Sequence, residues 1–185
     1  AMAFAKTAEQ MQIHQTAADA YRYCADLFGY LHPGQNLPPE IYLPWVIESY
    51  NTARNRHKCL QIAQLVRKSG QFDLIVESFA GKAAAKNGDS TQASEILRAA
   101  EDKAIAEHKS IAADSGDKQL QTSLALAWFY CFVSEDAVGA LDWANKALSL
   151  KSDSADAAAI LAYALVMNSQ DDLAKPMIAD KYQQN

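Results

Sequence analysis

Apolar residues recur along this chain at spacings of three and four, the signature of helices that each bury one face. Phe79, Ala80, Ala83 and Ala84 form one such stripe, and Ala93, Leu97 and Ala100 form a second. Between them stands Asn87-Gly88-Asp89. It supplies a residue free to take positive φ and a polar side chain, Asp89 or Ser90, to cap the helix that follows. The contact positions are small, so the two helices are predicted to fold back on each other with closely spaced backbones. Alternating apolar and polar runs bounded by turns do not occur, and alanine is abundant while glycine and proline are few. Both features predict an all-α chain.

The same plan recurs at a step of 34 residues. Ala93, Leu97 and Ala100 step back onto Cys59, Ala63 and Val66, and Ala80, Gly81 and Ala84 onto Val46, Ile47 and Tyr50. Ala140 and Ala144 step forward onto Ala174 and Ile178, and Ala127 and Cys131 onto Leu161 and Leu165. Every one of these positions is apolar or small.

With that period the chain resembles the tetratricopeptide repeat (TPR) family over roughly residues 40 to 185. The units lie near 40–73, 74–120, 121–154 and 155–185, and the first departs most from the family pattern. Gly81 and Ala162 match the small residue of the family's first helix, where Ile47 and Trp128 do not. Ala93, Ala140 and Ala174 match the small residue early in the second helix, with Cys59 as a substitute. The later Ala is present as Ala100 and Ala147, whereas the last unit has Lys181. Gln71 and Ser152 stand where the family has its terminal proline.

The resemblance implies a right-handed α–α superhelix of about four helix-turn-helix units, with a concave groove lined by the first helix of each. Groove positions by that analogy are Ser78, Lys82 and Lys86, then Ala125, Phe129 and Val133, then Ala159, Tyr163 and Met167. One branch of the family clamps a C-terminal carboxylate with Lys, Asn and Arg. Here Lys82 and Lys86 are present, but Phe129 and Tyr163 replace the polar partners. The expectation is a groove basic at one end and aromatic at the other, suited to a peptide or partner protein with an acid and large apolar side chains. The alternative is that Phe129 and Tyr163 pack on each other or on the N-terminal helix.

Residues 1–39 stand outside the repeat register. Met11, Ala18, Tyr21, Ala25 and Phe28 predict one helix from about Thr7 to Leu31, and His32-Pro33-Gly34-Gln35-Asn36-Leu37-Pro38-Pro39 ends it. It is expected to cap the first unit, as terminal repeats require, or else to lie in the groove. Arg54, Asn55, Arg56, His57 and Lys58 fall at a turn, either solvated or a docking patch for an acidic partner. Pro44 suits a first helical turn. Between Ala93 and Ala140 extra residues near Ala104 to Gly116 predict a second helix about three turns longer than usual, closed by Asp114-Ser115-Gly116-Asp117. Leu124, Leu126, Trp128, Phe129, Tyr130, Phe132 and Val133 make the next helix apolar nearly all round, so it must be covered on most sides.

Composition narrows the function. The net charge is −5, which argues against nucleic acid because phosphate binding needs a concentrated basic face. No apolar run approaches the roughly 20 residues of a membrane span. Cys24, Cys59 and Cys131 are far apart, odd in number and form no C-x-x-C pair, so they read as buried thiols. With no visible signal peptide they favour a cytoplasmic setting, although Ala1-Met2 can be an expression scar and the chain a fragment. His14, His32, His57 and His108 have no metal-ligand spacing, and no nucleophile, phosphate loop or dinucleotide motif is present. The acid pairs Glu135-Asp136 and Asp171-Asp172 read as helix caps. The expectation is a non-enzymatic interaction scaffold without a cofactor. The alternative is a self-assembly module that dimerises through the C-terminal repeat.

Overall fold

The computed structural model describes residues 1–112 and 115–182, and side chains as far as Met177. Among the described residues it is all-helical, without strands. The helices are α1 (Met2–Gln10), α2 (His14–Leu31), α3 (Pro39–Asn51), α4 (Lys58–Lys68), α5 (Leu74–Lys86), α6 (Ser90–Ser110), α7 (Gly116–Phe132), α8 (Ala137–Leu150), α9 (Ala155–Met167) and α10 (Asp171–Tyr182). They form two compact units, Ala1–Arg98 and Ala99–Asn185, whose boundary falls within α6.

In unit one each helix from α1 to α5 packs on the next, and α3 also packs on α5. The core is built from small residues with a few larger ones: Val46, Cys59, Ile62, Ala63, Val76, Ala80 and Ala83. Small side chains at these contacts let the helices approach closely. Local chemistry sets the ends. Asp73 caps α5 by accepting from the N–H groups of Ile75 and Val76, and Gly70 after α4 takes φ +75°. At the Asn87-Gly88-Asp89 turn, Gly88 takes φ +92°. Asp89 is the residue that caps, accepting from the Gln92 N–H at 2.9 Å.

Three expectations for unit one need correction. The segment Thr7–Leu31 is not one helix. It breaks at Gln12, which takes φ +56°, while the Ile13 N–H bonds back to the Ala8 carbonyl at 2.9 Å. That is the helix-ending arrangement in which glycine normally stands. Met11, expected in the apolar stripe, is therefore exposed. The two halves form a hairpin, and α2 packs on α3 through Cys24, Ala25 and Ile41. Pro44 lies inside α3 rather than in its first turn, because Pro39 begins the helix.

In unit two α7 packs on α8 and on α9, and α8 and α10 both pack on α9. Leu126, Ala127, Ala140, Ala144, Ala147, Ala157 and Ala164 are fully buried. Asp136 and Ser154 cap α8 and α9 through their side-chain oxygens. The Asn168 amide donates to the Ala137 carbonyl at 2.6 Å, tying the end of α9 to the start of α8. The lengthened α6 runs to Ser110. The next helix starts at Gly116 behind Ser115, and Asp114 of the expected break lies outside the described residues. So do the side chains of Ile178 and Lys181, on which part of the last repeat match rests. The three cysteines are buried free thiols.

Candidate functional site

Helix α7 has more apolar side chains than one core can hold. Leu126, Phe129 and Cys131 turn inward, with Phe129 only 2% exposed. Trp128 and Phe132 are left half-buried. Their ring centroids are 5.9 Å apart, and Phe132 lies 4.5 Å from Tyr163 of α9 at 39°. Tyr163 is 44% exposed, and Val166, one turn on, is 50% exposed. Unit two thus carries a file of three aromatic rings across α7 and α9, continued by an aliphatic side chain.

The predicted groove residues distribute as follows. Tyr163 belongs to this file. Met167 ends α9 half-buried, and Val133 is half-buried just beyond α7. Phe129 is corrected to a core residue, since its side chain is almost wholly buried within unit two. The surface falls instead to Phe132 and Trp128. One position along a helix turns a side chain by about 100°, and an all-round apolar helix gives the sequence no marker of which side faces out.

Ser78, Lys82 and Lys86 lie in unit one. Ser78 is fully buried, and its hydroxyl donates to the Leu74 carbonyl at 2.6 Å. As a groove position it too is corrected, because its hydroxyl is satisfied within its own helix. Lys86 is exposed in the last turn of α5. The Lys82 ammonium lies 6.0 Å from the Tyr50 ring, which also meets Phe79 at 5.2 Å. Arg56 covers the same ring at 5.6 Å and donates from Nε to the Tyr50 carbonyl. Of the basic turn, Arg56 and Lys58 are engaged internally, Lys58 with Asp19 at 3.5 Å. Arg54 and His57 are exposed.

The fold also assembles polar contacts that sequence spacing does not reveal. His14 meets the buried Glu48 at 2.7 Å, and Arg67 meets the buried Glu77 at 2.9 Å. The Tyr130 hydroxyl donates to Glu101. His108 Nε2 stands 3.1 Å from Ser123 Oγ, and its ring meets Trp143 edge-on at 4.8 Å. A serine beside a histidine invites a catalytic reading, but Ser123 is 0% exposed, so no substrate reaches its oxygen. Burial, and secondarily Lys146, lower the pKa of His108 below the usual histidine range. The pair holds α6 to α7. Among the described residues no three His, Cys, Asp or Glu side chains converge as metal ligands would, and no helix is long and apolar enough to cross a membrane.

No protein-family model, curated protein or solved structure matches this chain.

Proposed function

We propose that this chain is a TPR-like, right-handed helical-repeat scaffold that binds a peptide or partner protein on the α7–α9 face of unit two. The architecture is supported by the 34-residue recurrence and by the packing of α3 on α5 and of α7 on α9 across the helix between them. Stacked hairpins make such contacts because each repeat buries its apolar side only against its neighbours.

One observation carries the binding proposal: Tyr163 packs against Phe132, the two rings tilted, yet is nearly half exposed. Rings held rigid by one another lose little side-chain entropy on binding, and aromatic residues dominate interface hot spots. α7 and α9 carry few charges: Asp117, Lys118 and Asp156, all near their N-terminal ends. The partner segment is accordingly one with large apolar side chains. No chemistry is assigned to the chain.

The test is selection of peptides from a displayed random library on the immobilised protein. Peptides rich in Leu, Phe or Trp are expected, and Tyr163→Ala should release them. Selected peptides that bind Tyr163→Ala unchanged would overturn the assignment. A second reading, self-assembly through the last repeat, rests on Leu173 of α10, which is 60% exposed. It predicts a concentration-dependent dimer that Leu173→Asp dissolves.

A further inference from the structure

Unit one holds a cleft of its own. The end of α2, the Pro-rich connection, α3 and α4 enclose about 340 Å³, at the small end of the roughly 300–1,000 Å³ range of ligand sites. Its apolar lining is Phe28, Leu37, Trp45 and Leu65. These side chains belong to three separate elements and a connection, so the hollow is held by the fold rather than by one loop.

Among the described residues that line this hollow, Asp26 alone is charged. Asp26 is exposed and makes no ion pair among the described residues. Two helices also end here. Phe28 and Gly29 lie in the last turn of α2, and Leu65 and Ser69 lie in the last turn and at the C-cap of α4. Helix C-termini carry partial negative charge. Arg67 and Lys68 in the last turn of α4 offset part of it, but Arg67 is turned to Glu77.

The lining holds two aromatic rings, Phe28 and Trp45, and a cation placed over the face of such a ring is attracted to it. The Phe28 ring is itself held by His32, whose centroid lies 4.7 Å away at a tilt of 39°. The Trp45 indole N–H is buried without an acceptor among the described residues.

We infer that this cleft binds a small organic ammonium ion, with its apolar or aromatic body against Phe28, Leu37, Trp45 and Leu65 and its charged head at Asp26. The carboxylate and the two helix ends repel an anion of the same shape. A neutral analogue keeps the apolar burial and loses the charge.

The probes are phenethylammonium, phenethyl alcohol and phenylacetate, titrated into the whole chain and read by amide NMR shifts and tryptophan fluorescence. The ammonium is expected to bind saturably, the alcohol at least about fivefold more weakly, and the carboxylate not at all. Asp26→Asn should bring the ammonium down to the alcohol, and Leu65→Trp should fill the cleft and remove binding. Both side chains are exposed, and thermal melts followed by circular dichroism report whether the variants remain folded. If either unfolds, the three probes on the unchanged protein decide alone. Equal binding of the ammonium and the carboxylate, no saturable binding of any probe, or an affinity indifferent to Asp26→Asn in the folded variant would overturn the inference.

Discussion

The side chain of Leu97 occupies the space that a Cβ on Gly81 would need. An ideal Cβ there stands 2.5 Å from Leu97 Cδ2 and 2.6 Å from its Cγ, with the Ala93 carbonyl at 3.4 Å. Glycine inside an exposed helix costs up to about 1 kcal/mol relative to alanine. At this position it permits α6 to lie against α5. Gly139 plays the same part in unit two, where a Cβ would meet the Tyr130 ring at 2.6 Å.

Gly81→Ala should therefore destabilise the protein in spite of its better helix propensity. Overpacking costs about 1–3 kcal/mol, more than the propensity gain. Leu97→Ala removes the obstruction, so the double variant should lose less than the sum of the single variants. Urea unfolding of all three measures the coupling. An additive result would mean that the cost of Gly81→Ala does not come from its contact with Leu97.

Features fixed within a few residues were legible in the sequence. The turn at Gly88 and the buried small positions Ala93, Ala100, Ala140, Ala144 and Ala147 follow from local chemistry and helical spacing. The break at Gln12 was not legible, because a non-glycine residue there takes positive φ and nothing marks it. Nor was the outward side of α7, where Phe129 and Phe132 are interchangeable by type. Side-chain pairs such as His14–Glu48 and His108–Ser123 join separate helices, so only the fold reveals them.

His108 makes stability depend on pH in a stated direction. Its folded pKa lies below the ordinary value of 6.5, because burial, and then Lys146, disfavour the imidazolium. Its contribution is complete at pH values above the ordinary histidine range. It is lost as pH falls from about 6.5 through the lower folded pKa, since the unfolded chain takes up the proton first. Urea midpoints between pH 7.5 and 5 should show this fall, and His108→Gln should flatten it. An unchanged slope in that variant would assign the acid sensitivity to other groups.

The thiols report global unfolding. Burial pushes Cys59 up to about 12 and Cys131 up to about 11. Cys59 also donates weakly to the Val46 carbonyl at 3.6 Å. The reactive species is the thiolate, so Cys59 and Cys131 should resist an aromatic disulfide reagent in the native state near pH 8. They should react with the same urea midpoint as the loss of helical signal. Cys24 is also buried, with its thiol pKa raised by burial, and it belongs to the same prediction. Rapid labelling of the folded chain at any of the three would reveal local opening of that helix.

Phe129 and Tyr163 separate folding from recognition. Phe129 is enclosed, and truncation to alanine should cost about 3–5 kcal/mol through lost burial and the cavity left behind. Tyr163 is nearly half exposed and meets the Phe132 ring at a tilt. Tyr163→Ala should cost no more than about 1.5 kcal/mol, the upper end of an aromatic pair. The same change takes the most accessible of the three rings from the α7–α9 face, so it should abolish peptide capture while leaving the melting curve almost in place. Phe129→Ala at a temperature where it remains folded should retain capture. Denaturant titration and peptide binding measured on the same two samples decide the matter. Loss of binding in Phe129→Ala with retention in Tyr163→Ala would return the recognition surface to the core-facing side of α7 and remove the face proposed above.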